Sequence, residues 1–429
     1  MRTGVTVNQA HPPHYTDFML LTFTAPPPLL TRLAAGLAAA TVLWHLPAAA
    51  APFTPQSDAE VVERLPGRAS DPALRRVESL RKQLAARPDD AALRIEVARR
   101  YFDMAMAQGD PRYVGYAASA LAPLDKTAPN EPGYPMALGL IQQYSHNFDA
   151  ALASLTKAAQ LAPQSPEPLL WRTAIFMVQA RYSEAGAECA RLAPLTDTLT
   201  ATGCSAYVQA ATGQLEAAYQ TLTAAVKAAP QASAELLLWQ NTRLAEMAWR
   251  LQRFDVAEGH FKTAQKLGVT DQFLLGAYAD FLLERQRPTE VMTLLADWER
   301  SDILLLRLAL AGKAANDTRA TGWAAQLRDR FAASALRGDL LHEQESARFE
   351  LAIEGNPAKA LARASHNYTT QKEPRDADML LRAALAAGQR QPAQPALDWL
   401  QSSRYEDPAI SAVAAQLRAV STSTTGPAR

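Results

Sequence analysis

An excess of charge of either sign is missing from this chain. Lysine plus arginine and aspartate plus glutamate each number 43 in 429 residues, so the formal net charge is zero. A nucleic-acid binder carries a basic excess or a basic run to meet phosphates, and neither is present. The short pairs Arg75-Arg76 and Arg99-Arg100 fall among helical residues and read as solvated helix faces. Cysteine is almost absent: Cys189 and Cys204 are the two, and no CxxC redox motif exists. There is no Gly-rich phosphate loop and no Gly-x-Ser-x-Gly elbow. "LHEQESARFE" opens as a zinc-protease helix would, with His342-Glu343, but Ser346 stands one turn on, where the second imidazole must be. His146, His260 and His366 are scattered without ligand spacing. The chain is therefore read as a non-enzyme that needs no cofactor and no metal. After the first fifty residues nothing is long and apolar enough to span a bilayer.

What is present is apolar: 48% hydrophobic residues against 20% charged, ample for a packed core and too apolar for a disordered chain. The first fifty residues differ in kind. Arg32 precedes "LAAGLAAATVLWHL" (33–46), then Pro47 and an Ala-x-Ala pattern at Ala48 and Ala50. A basic residue, a short apolar run and small residues describe a secretory signal cleaved near Ala50, with the mature chain starting near Ala51. The competing reading is a membrane anchor; the run is short of the roughly 20 residues a span needs, and His45 and Pro47 interrupt it. Met19 is a second candidate start. On this reading 1–50 is the signal region, the product is periplasmic or secreted, and the mature chain has no membrane span.

The rest repeats. "NFDAALASLTKAAQLAP" (147–163) returns as "RYSEAGAECARLAP" and "QLEAAYQTLTAAVKAAP". Turn positions Val114, Phe148, Tyr182, Leu215, Phe254, Pro288, roughly Gly322, Pro357 and Pro392 are spaced 34, 34, 33, 39, 34, 34, 35 and 35 residues apart. Without strand-like alternation, that period holds two helices of about 12–15 residues and two tight turns, the mark of an all-α solenoid.

The clearest unit starts near Pro132. Leu138-Gly139 sits where two helices cross closely, Phe148 stands at the turn, Ala151 faces Gly139, Leu155 and Ala158 follow, and Pro163 stops the second helix. Ala218, Leu222, Ala225 and Pro230 repeat the second-helix half, as do Phe254, Ala257, Phe261 and Ala264; Ala98 and Tyr101 match the first-helix half. This unit resembles the tetratricopeptide repeat, in an exported bacterial form. The early tryptophan of that family's first helix is absent here, and the prolines at 288, 357 and 392 are departures. The resemblance implies a right-handed α-solenoid of about nine helix pairs, over roughly 71–405. Asp71-Pro72 opens the first helix and Asp407-Pro408 a terminal one at 406–420 that covers the open end. A linker at 51–70 and a disordered tail at 421–429 complete the domain plan.

In such an array Cys189 and Cys204 lie on antiparallel neighbouring helices. Export favours their oxidation; two buried thiols are the alternative. The family's partners bind the concave side, lined by first helices. There the helix "LLLWQNTRLAEMAWRLQRF" places Trp239, Arg243, Glu246, Trp249 and Arg250 three or four residues apart, so several share a face. Tyr207 and Asp280 stand at matching places one unit either side. Tryptophan and arginine are frequent binding anchors; the competing reading packs the tryptophans between units and leaves the charges solvated. These seven residues are the candidate site for a protein or peptide partner. The expected function is an exported adaptor, in envelope assembly or secretion. The alternative is an α-helical enzyme or carbohydrate binder of the envelope, which would need a longer repeat and an acidic pair.

Overall fold

The computed structural model describes residues 72–338 and 341–420. The signal region with Met19, Arg32 and Ala50, the linker, the expected Asp71 cap and the tail all lie outside the described residues.

Helix α1 (Pro72–Ala86), with Pro72 at its first position, precedes the pairs and buries Val77 and Leu80 against the first of them. Nine antiparallel pairs follow: α2 (Ala91–Gln108) with α3 (Arg112–Leu121), then after the short α4 (Leu124–Thr127), α5 (Gly133–Tyr144) with α6 (Phe148–Leu161), α7 (Glu167–Val178) with α8 (Tyr182–Leu192), and α9 (Thr198–Ala210) with α10 (Leu215–Ala228). Next come α11 (Ala234–Arg250) with α12 (Phe254–Lys266), α13 (Gln272–Glu284) with α14 (Pro288–Leu294), and α15 (Asp302–Ala315) with α16 (Ala320–Leu336). The last two pairs are α17 (Glu343–Ala352) with α18 (Pro357–Asn367), and α19 (Pro374–Ala386) with α20 (Gln394–Ser403). Helix α21 (Pro408–Ala419) packs on α19. No strand occurs among the described residues.

The local causes are visible. Asp90, Asp197, Ser233, Asp271 and Ser301 cap first helices by accepting from backbone N–H groups one turn on. Pro288 and Pro357 depart from the repeat pattern without breaking it, because each sits at the first position of a second helix, where its missing N–H has no partner to lose. Pro392 sits in the 3₁₀ turn Gln391–Ala393 ahead of α20. Six of the nine reversals within pairs use one left-handed residue two positions before the second helix, four of them His146, Ala180, Gln252 and Gln286 at φ of 56°, 56°, 61° and 56°. Gly213 and Gly355 do the same, at 79° and 68°.

The core runs along the seam between helices of each pair. Ala151, Leu155, Ala218, Leu222, Ala257, Phe261 and Ala264 are wholly buried. At Gly139 a Cβ would stand 2.7 Å from Leu155 Cγ and 3.4 Å from the Ala151 carbonyl oxygen, so the close crossing admits only glycine without rearrangement. Cys189 on α8 and Cys204 on α9 form a disulfide with Cα atoms 5.6 Å apart, both buried.

The array also meets itself. The Lys372 N–H donates to the Val178 carbonyl oxygen at 2.7 Å, and the Trp399 indole N–H to the Tyr182 hydroxyl at 2.9 Å. The Leu215 N–H donates to Glu406 Oε2 at 2.7 Å, and Gln272 Nε2 to the Met106 carbonyl oxygen at 3.1 Å. Ala180 and Tyr182 pack against the apolar core of the last repeats. Each such hydrogen bond contributes about 1 kcal/mol net, and here they cooperate with apolar packing. The ninth helix pair thus docks on the third, and the loop before α21 on the fourth and fifth.

Candidate functional site

Helix α11 is the longest first helix of the middle repeats, at 17 residues, and it accounts for the 39-residue step in the period. Leu238, Leu244, Ala245, Met247 and Ala248 bury its packing face. The remaining stripe carries Trp239, Arg243, Glu246 and Arg250, which the 3.6-residue period stacks along one side facing inward.

On that stripe the Arg243 guanidinium lies over the Tyr207 ring, 3.3 Å from its centroid, and over the Trp239 ring at 4.4 Å. Trp239 is 37% exposed. Nε of Arg243 is buried without a hydrogen-bond partner. Glu246, one turn on, is half-buried. Burial pushes its carboxyl above the usual range, against the pull of Arg243, Arg375 and Arg250. Burial likewise raises the Tyr207 phenol. Arg250 is answered by backbone: Nη2 donates to the Ala210 carbonyl oxygen at 2.6 Å and Nε to that of Glu406 at 3.0 Å, while the guanidinium lies 3.8 Å from the Tyr405 centroid.

Two of the expected residues are held in a different way. Trp249 stands edge-to-face on Phe281 with centroids 5.5 Å apart, and its indole N–H donates to Glu284 Oε1 at 2.8 Å. Asp280 accepts from Arg307 at 2.6 Å and from Arg348 at 2.7 Å. Burial works against its charge, yet the two guanidinium groups outweigh it and hold the carboxyl below its ordinary value. Of the seven, Tyr207, Trp239, Arg243, Glu246 and Arg250 therefore form one cluster; Trp249 and Asp280 belong to ion-pair and aromatic contacts between repeats.

Sequence reasoning did not find the residues that face this cluster from the end of the chain. Glu373 and Arg375, ion-paired at 2.6 Å, come within electrostatic reach of Glu246. Tyr405 lies over Arg250 from the loop before α21. A second polar group collects nearby: His146 contacts Gln371 at 3.2 Å and has Glu345, His342, Glu373 and Arg375 around it. Burial lowers the His146 imidazole to about 4. No local pattern marks these residues, because they arrive only when the array returns on itself. Among the described residues no group of three or more His, Cys, Asp or Glu could hold a metal ion, and no helix is long and apolar enough to cross a membrane.

Six of the nine second helices start at the expected turn positions, while those expected at Val114, Gly322 and Pro392 start at Arg112, Ala320 and Gln394, and the Gly139–Leu155 crossing closes the clearest unit. The fold is an all-α solenoid of helix pairs, like that of tetratricopeptide-repeat proteins. No protein-family model matches the chain, and no curated protein matches it. Solved structures similar to it include the Cut9–Hcn1 assembly of the APC/C, at 15% identity over 72% of this chain with a TM-score of 0.36; the chain spans 52% of that protein's length. Yeast Tom70 aligns at 14% identity over 80% of this chain and 85% of its own, with a TM-score of 0.38. A tetratricopeptide repeat protein from Parabacteroides merdae aligns at 15% identity over 59% of this chain and 99% of its own, with a TM-score of 0.35.

Proposed function

We propose that this tetratricopeptide-repeat chain is an exported scaffold that holds a protein or peptide partner against the inner face of α11. The observation that carries the reading is the state of Arg243 and Glu246. They lie on one helix, three residues apart, and neither forms an ion pair among the described residues, whereas Asp280 in the next repeat is matched by Arg307 and Arg348. Half-buried charges without partners cost stability, and a bound ligand that answers them offsets that cost. Export rests on the apolar run 33–46 with its Ala-x-Ala pattern, and the Cys189–Cys204 disulfide suits an oxidising compartment. Envelope assembly or secretion is the setting this combination favours.

Affinity capture from the native envelope tests the reading. Wild-type protein retains a specific partner; Glu246→Arg, a change on the α11 stripe, loses it while remaining folded. Retention at wild-type level by a folded Glu246→Arg protein moves the binding surface elsewhere. N-terminal sequencing of the fractionated protein tests export: a chain beginning near Ala51 supports it, and an intact N terminus in the cytosol sinks it.

A further inference from the structure

The turn of the second helix pair meets the loop 368–373, which links the eighth pair to the ninth, in a joint that holds a titratable ring. His146 forms that turn in the left-handed conformation, and its neighbours Ser145 and Asn147 are exposed. The imidazole itself is covered by the returning array: His342 and Glu345 face it from the start of α17, and Glu373 and Arg375 from the start of α19. Phe148 on α6 lies beside it, with ring centroids 5.6 Å apart. His146 Nδ1 and Gln371 Nε2 are hydrogen-bonded across the joint at 3.2 Å. One residue on, the Lys372 N–H donates to the Val178 carbonyl oxygen at 2.7 Å.

The direction of the His146 bond is set from behind. Gln371 Nε2 also donates to Asn367 Oδ1 at 3.0 Å, and Asn367 Nδ2 donates to Asp376 Oδ1 at 2.9 Å, while Asp376 Oδ2 accepts from the Glu373 N–H. Asn367 and Asp376 are buried. This row of amides presents an N–H to His146, so the ring nitrogen must accept, which an imidazole can do and an imidazolium cannot. Turning the Gln371 amide over would set its oxygen against that of Asn367. Turning Asn367 as well would set its oxygen against the Asp376 carboxylate. That last brace weakens below about 7, the value to which burial raises Asp376. The covering of the ring persists, and it is the larger effect. Burial opposes the charge on His146; Glu345 and Glu373 favour it, and His342 and Arg375 oppose it. Glu373 and Arg375 are themselves ion-paired and largely cancel.

We infer that this joint is an acid-released latch: a neutral His146 holds the turn of the second pair to the loop before α19, and a protonated His146 lets the loop lift. A released turn puts the ring in water, where it takes its proton at the ordinary pH, so acid favours the released form. The Trp399–Tyr182 bond is made by groups that stay uncharged in acid, so the ninth pair stays docked while the loop opens locally. The loop carries Glu373, so its lifting also rearranges the charges that face Glu246 on α11. The inference concerns the closure of the array and stands whether or not α11 holds a partner.

Amide hydrogen exchange on the full chain tests it, with rates corrected for the intrinsic effect of pH. The Lys372 amide reports the joint, and the Leu244 amide, inside α11, reports the array as a whole. Lys372 should exchange well ahead of Leu244 at every pH, because the joint opens alone. From pH 8 to pH 5 its opening ratio should rise roughly ten- to thirtyfold, as follows from a ring that charges at about 4 when covered and at about 6.5 when free. His146→Gln keeps an acceptor oxygen for Gln371 at every pH and should flatten the response. Gln371→Glu sets a carboxylate against the ring and should invert it, leaving Lys372 better protected at pH 5 than at pH 8. An unchanged opening ratio in the wild type, a response that survives His146→Gln, or a Gln371→Glu protein that opens in acid as the wild type does overturns the inference. So does exchange of Lys372 at the same protection as Leu244, which would mean that the whole array unfolds and no separate latch exists.

Discussion

The Leu215 N–H and the Glu406 carboxylate are hydrogen-bonded at 2.7 Å although 191 residues separate them. The bond caps the N terminus of α10, where a carboxylate is favoured by the free N–H groups of the first turn. It also ties the loop before α21 to the middle of the array, beside Arg250 and Tyr405.

Glu406→Ala should therefore loosen the return of the chain without unfolding the repeats. Hydrogen exchange should speed up at the Leu215 amide and across 399–410, and the global stability should fall by about 1–2 kcal/mol. Unchanged exchange at Leu215 would show that the docking does not depend on this carboxylate.

Reduction offers a second measurement. The disulfide joins residues 15 apart, and closing a loop of that size contributes about 3 kcal/mol in the chain-entropy account. Denaturant midpoints with and without reductant should differ accordingly, and the Cys204→Ser protein should match the reduced wild type. Protein recovered from the native envelope should gain two alkylations only after reduction; free thiols in fresh material would contradict the oxidised state.

Trp249 and Glu246 should separate stability from capture. Trp249 packs on Phe281 and donates to Glu284, so Trp249→Ala should lower stability by about 2–4 kcal/mol, in the range of large-to-small changes at a half-buried site. Glu246→Gln touches no hydrogen bond among the described residues and removes a carboxyl whose charge burial disfavours, so it should be at least as stable as wild type while weakening partner capture. Calorimetry alongside the capture assay checks both. A Trp249→Ala protein with wild-type melting would return that residue to the list of binding anchors.

Acid should act through His146. Its imidazole is lowered to about 4 in the folded state by burial, with His342, Glu345, Glu373 and Arg375 around it. The unfolded chain takes up this proton near pH 6.5 and the folded one only near pH 4. Stability is therefore lost as pH falls between those values and changes no further below, by a total of about 1–3 kcal/mol. His146→Gln should remove that part of the acid sensitivity. Glutamine is suited to the left-handed backbone there, since Gln252 and Gln286 occupy the same turn position. Equal acid-induced losses in both proteins, measured by urea titration at several pH values, would exclude His146 as the source.

Much of the fold is legible because its causes are local. The turn positions at Phe148, Tyr182, Leu215, Phe254, Pro288 and Pro357 are the first residues of second helices. Gly139 faces Leu155 as a close crossing requires, Asp407 caps α21, and the two cysteines meet because antiparallel neighbours leave them no other direction. The candidate site was legible only by half. The stripe on α11 follows from helical spacing; the stacking of Arg243 on Tyr207 of the preceding repeat does not. Glu373, Arg375, Tyr405 and Glu406 reach it through the sum of many small rotations between successive repeats, and no short stretch of sequence encodes a sum. Trp249 and Asp280 share the spacing of the stripe, but their neighbours Glu284, Arg307 and Arg348 claim them, and a helical period carries no information about what stands on the facing helix.

The return of the array on itself has a consequence for how such a chain can diverge. Helical arrays ordinarily gain and lose whole repeats, because each unit touches only its neighbours. Here Val178 meets Lys372, Leu215 meets Glu406, and Met106 meets Gln272. The pair α11–α12 lies between the members of all three contacts, so duplicating or deleting it would carry every one of them out of register together. Within that interval the array is bound to its own repeat number, and variation by whole units is confined to its ends.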